Sequence, residues 1–99
     1  MARFDVYRDA NDGAYLLDVQ ATLLDRLETR VVVPLIPHDR APDSIPALIP
    51  RFDVAGTNLA MMTPLIAAVP RSTLQDKVTD LERHRFEIVN ALDFLLQGF

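Results

Sequence analysis

The chain has no cysteine and no tryptophan, three isolated glycines, two histidines, and no apolar run long enough to span a membrane. Each absence excludes something. Without cysteine there are no disulfides and no thiolate chemistry, and a reducing compartment is permitted. Isolated glycines build no phosphate cradle. His38 and His84 lie far apart in sequence, and no histidine pair, cysteine pair or acidic loop has ligand spacing, so neither a metal site nor a cofactor is expected. Ser44 and Ser72 stand outside any nucleophile-elbow pattern. No catalytic residue emerges, and the expectation is a protein that is not an enzyme. The missing membrane span and the missing charged-then-apolar leader predict a cytoplasmic protein, neither exported nor membrane-bound. The formal net charge of −4 repels phosphates and argues against direct nucleic-acid binding.

What is present is apolar surface. Ninety-nine residues, 49% of them hydrophobic, read as a single domain over 1–99. A chain of this length buries roughly 60–65% of its unfolded surface. Apolar side chains are left over once one small core is filled, which points to a homodimer. All seven prolines fall between Pro34 and Pro70. The N-terminal third is therefore free to form strand and the C-terminal third helix.

Residues 2–8 alternate, with Phe4 and Val6 on one face and Arg3, Asp5 and Tyr7 on the other, the pattern of a half-buried strand. Asp9 to Gly13 is a turn, and 14–21 is the return strand, with Tyr15, Leu17 and Val19 sharing a face. Residues 22–29 read as a loop or one helical turn. Three consecutive valines make 30–36 a strand covered on both faces, with Pro34 at an edge or bulge. After a loop over 37–46, 47–54 and 59–63 form a second hairpin around a tight turn at Ala55-Gly56-Thr57-Asn58, and 65–70 is a last short strand. Of Met61 and Met62, one belongs in the core and one on the opposite face, although a soft binding patch is the alternative.

Ser72-x-x-Gln75 reads as the start of a short turn, and Thr79-x-x-Glu82 as a capping box. Strands over about 2–70 and a main helix over about 79–97 predict a mainly β fold: a small SH3-like antiparallel barrel or sheet plus one long terminal helix. Val78, Leu81, Ile88, Leu92, Leu95 and Phe99 give the helix an apolar stripe, widened by Phe86, Val89, Phe94 and Leu96. Arg83, His84 and Arg85 read as a solvated basic face paired with Asp80, Glu82 and Glu87. Gly98 ends the helix, and an aromatic Phe99 follows.

The ordered pieces F4-x-V-Y7, L17-D-V-Q20, R30-V-V-V-P-L35, M61-M-T63, V69-P70 and I88-x-N-A-L92 resemble the CcdB toxins over the whole chain. That resemblance implies the toxin half of a type II toxin–antitoxin module. It implies a homodimer that binds the DNA gyrase A subunit and traps the cleaved-DNA complex. It also implies an acidic cognate antitoxin that folds onto the toxin, removes it from gyrase and represses the operon. Members of the family act by binding, not as enzymes. The family's gyrase-contacting element falls on Phe94, Gln97, Gly98 and Phe99. Gln97 stands where the family has tryptophan, and Phe99 where it has isoleucine. The family's basic first-hairpin loop is acidic here through Asp9 and Asp12, which leaves Arg83 and Arg85 as the expected antitoxin contacts. Two other readings stay open: a decayed or decoy homologue that binds antitoxin without poisoning gyrase, and an endoribonuclease toxin on the same fold.

Overall fold

The computed structural model describes residues 1–43 and 45–98. Seven strands and one helix follow in order: β1 (Asp5–Asp9), β2 (Tyr15–Asp18), β3 (Thr29–Pro37), β4 (Arg51–Val54), β5 (Thr57–Met61), β6 (Ala67–Pro70), β7 (Leu74–Asp80) and α1 (Arg85–Gln97). They form one antiparallel sheet in the order β4-β5-β3-β2-β1-β7, with β6 beside β3. The sheet curls into a half-barrel, and α1 packs on it: the mainly β fold with a terminal helix that the sequence predicts.

One core fills the curl. Val6, Leu17, Val33, Leu59 and Met61 from the sheet meet Leu81, Ile88, Ala91 and Leu92. The alternation of 2–8 holds as to faces, since Phe4 and Val6 join this core while Tyr7 enters a second cluster with Leu16, Val32 and Leu74. The strand starts later than expected, at Asp5. Phe4 takes a φ of +75°, a left-handed backbone that an aromatic residue adopts only when its surroundings hold it there. Its N–H donates to the Asp18 carbonyl at 2.7 Å, and its own carbonyl accepts the Leu81 N–H at 2.8 Å.

Pro34 lies inside the central strand β3 rather than at an edge. β3 pairs with β6 over Thr29–Val32 and with β5 over Leu35–Pro37. Pro34 falls between these partners, and its carbonyl accepts the Met62 N–H at 2.9 Å. Its nitrogen has no hydrogen to donate, and the break between the two partners is where a central strand accommodates that. Ala55 and Gly56, with φ of 51° and 86°, make the two-residue turn between β4 and β5 that suits a right-twisted hairpin. Residues 47–50 lie outside the strand expected over 47–54, which starts at Arg51.

The largest correction concerns residues 74–80. The sequence predicts a helix from about Thr79, but Leu74–Asp80 is strand β7, paired with β1. The capping box does not form. The Asp80 carboxylate, not the Thr79 hydroxyl, accepts the Glu82 N–H, at 3.0 Å. A short 3₁₀ turn over Glu82–His84 then leads into α1 at Arg85. The free edge of β1 outweighs the helical pattern, because every residue of β7 that pairs with it satisfies backbone groups that would otherwise stand open. Phe86 is 71% exposed and takes no part in the helix-on-sheet packing, which Val89 joins instead. Met61 and Met62 are both buried, in separate clusters. No helix among the described residues is long and apolar enough to cross a membrane.

Candidate functional site

The end of α1 is exposed. Ile88, Ala91 and Leu92 turn inward, Phe94 and Leu95 are half-buried, and Leu96 is 74% exposed. Gly98 has φ of +80°, and its N–H donates to the Phe94 carbonyl at 2.9 Å, the left-handed helix end expected of glycine. Gln97 and Gly98 are exposed. Phe99, the last residue expected to contact gyrase, lies outside the described residues.

Beside this helix end stands the 21–28 loop, which sequence reasoning treats as a plain connection. It displays Leu23 at 92% exposure, with Leu24 and Leu27 about half exposed. Leu24 and Leu27 from the loop and Leu92 and Leu96 from α1 line a groove of about 520 Å³. Arg3, Gln20, Thr29 and Asp93 are its polar lining residues. Leu65 adds another exposed apolar side chain next to Ile66, which also lines the groove. Exposed apolar patches are rarely large on folded chains, which makes this one a candidate site. One signal in the sequence points to it: Leu23-Leu24 and Leu27 in a stretch otherwise rich in charge.

The loop is fastened from beneath. Arg30 and Asp18 are sealed from solvent, and the Arg30 Nε and Nη2 donate to Asp18 Oδ2 at 3.0 and 2.6 Å. Asp18 Oδ1 accepts the Gln20 N–H at 3.0 Å. The Gln20 amide reaches out of this buried pair to the Leu24 carbonyl at 2.9 Å, and Arg30 Nη1 points at the same carbonyl from 3.4 Å. Arg71 closes the other end: its guanidinium donates to the Asp25 carbonyl, and its N–H to the Glu28 carbonyl. Burial pushes the Asp18 carboxyl above its ordinary pKa, against the opposing pull of Arg30. The leucines are thus held out by a buried polar frame.

Arg83 and Arg85 sit at the other end of the helix, away from this groove's lining. Arg85 pairs with Glu82 at 3.2 Å and lies over the Phe86 ring, and His84 meets Glu87 at 3.2 Å. Arg83 has no carboxylate partner among the described residues. The His84 ring packs on Phe52, and His38 lies in a 3₁₀ turn far down the sequence. Among the described residues, no cluster of three or more acidic or histidine side chains is placed to hold a metal.

The fold superposes on an endoribonuclease from a mycobacterial species with a TM-score of 0.74 at 19% identity, covering 97% of this chain and 90% of that one. It also superposes on an endoribonuclease in complex with its cognate antitoxin, again from a mycobacterial species. There the TM-score is 0.75 at 18% identity, with 97% and 94% covered. These likenesses correct the expectation that the chain is not an enzyme. Endoribonucleases are built on this half-barrel over nearly its whole length, so the fold does not exclude catalysis. A family model described as CcdB protein matches residues 3–98, essentially the whole sequence, and the chain belongs to that family.

Proposed function

We propose that this protein is the toxin of a type II toxin–antitoxin pair and that it acts as a homodimer on the A subunit of DNA gyrase. The observation that carries the reading is the apolar groove in which Leu24 and Leu27 stand beside Leu96 near the helix end, with Leu23 exposed on the same loop. This face adds Leu24 and Leu27 to the expected element of Phe94, Gln97, Gly98 and Phe99. It also answers the loss of tryptophan at Gln97: exposed leucines supply the apolar area that a glutamine lacks. In a two-fold dimer two such faces meet a two-fold target together, which multiplies affinity without new contacts. A cognate antitoxin neutralises the toxin, with Arg83 and Arg85 as its proposed contacts.

The test is a supercoiling and cleavage assay with purified gyrase. The expected result is accumulation of cleaved DNA, lost in Leu24→Asp and Leu96→Asp variants that still fold. Inert wild type together with an active Gln97→Trp variant would instead identify a homologue that has lost its target. A second reading is favoured by the fold shared with endoribonucleases: degradation of RNA by the purified protein, with gyrase untouched, would establish it.

A further inference from the structure

The 21–28 loop gives no side chain to the described core: Leu23, Leu24 and Leu27 belong to none of its clusters. Its only regular piece is a 3₁₀ turn over Thr22–Leu24. Hydrogen bonds from outside the loop hold it, and they aim at its main chain. Gln20 Nε2 and Arg30 Nη1 converge on the Leu24 carbonyl, at 2.9 and 3.4 Å. The Arg71 guanidinium donates to the Asp25 carbonyl, and the Arg71 N–H to the Glu28 carbonyl at 2.8 Å. Gln20 and Arg30 are buried and tied to Asp18, so they serve the fold as well. Arg71 is different. It is half-buried, in a 3₁₀ turn after β6, and it forms no salt bridge among the described residues. Its guanidinium reaches a loop 46 positions away in sequence.

We propose that Arg71 is a positioning residue for docking: its bond to the Asp25 carbonyl holds the 21–28 loop in the shape in which Leu24 and Leu27 meet the gyrase A subunit beside Leu96. The inference rests on the gyrase reading and names what keeps that docking face in form. An exposed loop samples many conformations unless it is tied, and every residue ordered on docking subtracts from affinity. Arg71 orders the loop in the free protein, before the target arrives. A guanidinium suits this task, because it is planar, always charged and fixed in the direction of its donors. Its charge-assisted bond to a carbonyl is stronger than a neutral one. Bonds to main-chain carbonyls set the course of the backbone. Since the loop fills no part of the core, the course they set is that of an outward face.

Hydrogen exchange, melting temperature and affinity for purified gyrase A subunit, measured on the same variants, test the proposal. Arg71→Met keeps an unbranched stem and removes the donors. In the free protein it should speed amide exchange over 21–28 by about 10-fold while melting within about 3 °C of the wild type. Its affinity for the subunit should fall by about 10-fold, the order of fixing one residue's backbone. Arg71→Lys restores a charged donor and should recover part of both losses. Arg40→Met removes a charge from an exposed residue elsewhere and should change neither. Unchanged loop exchange in Arg71→Met overturns the proposal. So does faster exchange with full affinity, which means that gyrase orders the loop itself. Weaker affinity with unchanged exchange overturns it too, and makes Arg71 a direct contact. Faster exchange throughout the chain with a large fall in melting temperature makes Arg71 part of the fold instead. All four of these outcomes leave the gyrase reading standing. A wild type that does not bind the subunit removes that reading and the proposal with it.

Discussion

Arg30 lays its guanidinium on Asp18 with two N–H groups sharing one carboxylate oxygen, at 3.0 and 2.6 Å, and neither side chain reaches solvent. The pair sits under the leucine loop, where Gln20 carries its hydrogen bonding to the Leu24 carbonyl. Arg30→Met leaves a buried carboxylate without its partner, a loss that costs about 3–5 kcal/mol. Pairing it with Asp18→Leu removes both charges and should recover most of that loss. Urea denaturation of the two single variants and the double variant gives the coupling energy. Additive losses would mean that Arg30 acts through packing and not through Asp18.

A second buried group reports on alkaline pH. Tyr7 donates its hydroxyl to Asp5 at 3.1 Å, and burial, reinforced by the Asp5 charge, pushes its pKa up to about 12 from 10.0. The folded state therefore holds the phenol proton between pH 10 and 12, where the unfolded chain has released it. The stabilisation is complete below pH 10 and disappears as pH rises through 12. A shift of this size corresponds to about 2–3 kcal/mol. Denaturant melts across that range should show the wild type losing stability faster than Tyr7→Phe. Tyrosinate absorbance should show a step near pH 12 that is missing in the variant.

The link from β7 into the helix depends on Asp80, not on Thr79. Asp80→Ala removes the acceptor of the Glu82 N–H and should cost about 0.5–2 kcal/mol, the range of a lost helix cap. Thr79→Val keeps the β-branched shape, removes the hydroxyl and should change stability by less than about 0.5 kcal/mol. Thermal melts of the two variants decide the matter. A larger loss in Thr79→Val would restore the capping box.

The sequence reveals a great deal of this fold where local pattern and tertiary demand agree. The alternation at Phe4, Val6, Tyr15, Leu17 and Val19, the valine run of β3, Gly56 in its turn and Gly98 at the helix end are all legible. It hides β7, because Val78 and Leu81 fit a helical stripe as well as they fit an edge strand and the link that follows. Only the open edge of β1, which no local pattern encodes, selects between them. The candidate site is half legible for the same reason. Leu96, Gln97 and Gly98 lie together on one helix end, whereas Leu24 and Leu27 reach it only through the pairing of β2 with β3. Arg30 and Asp18 read as ordinary charges in strands, and their burial follows from a cross-strand meeting that spacing alone does not announce.

The leucine face separates function from stability most cleanly. Leu23 and Leu96 are 92% and 74% exposed, so the described chain gains little by hiding them. Replacing either with a charged residue should leave monomer stability within about 0.5 kcal/mol. At a docked interface the same change removes apolar contact and buries a charge, a loss of about 2 kcal/mol or more for a central residue. Leu23→Glu and Leu96→Glu should therefore weaken gyrase poisoning by at least about 30-fold. Phe86→Glu carries an equally exposed charge on another part of the helix and should leave poisoning unchanged. Dose–response curves for cleaved DNA, read beside the melting temperature of each variant, make the comparison. If Leu23→Glu melts as the wild type and poisons gyrase equally well, the loop is not part of the docking face, and the helix end alone must carry the contact.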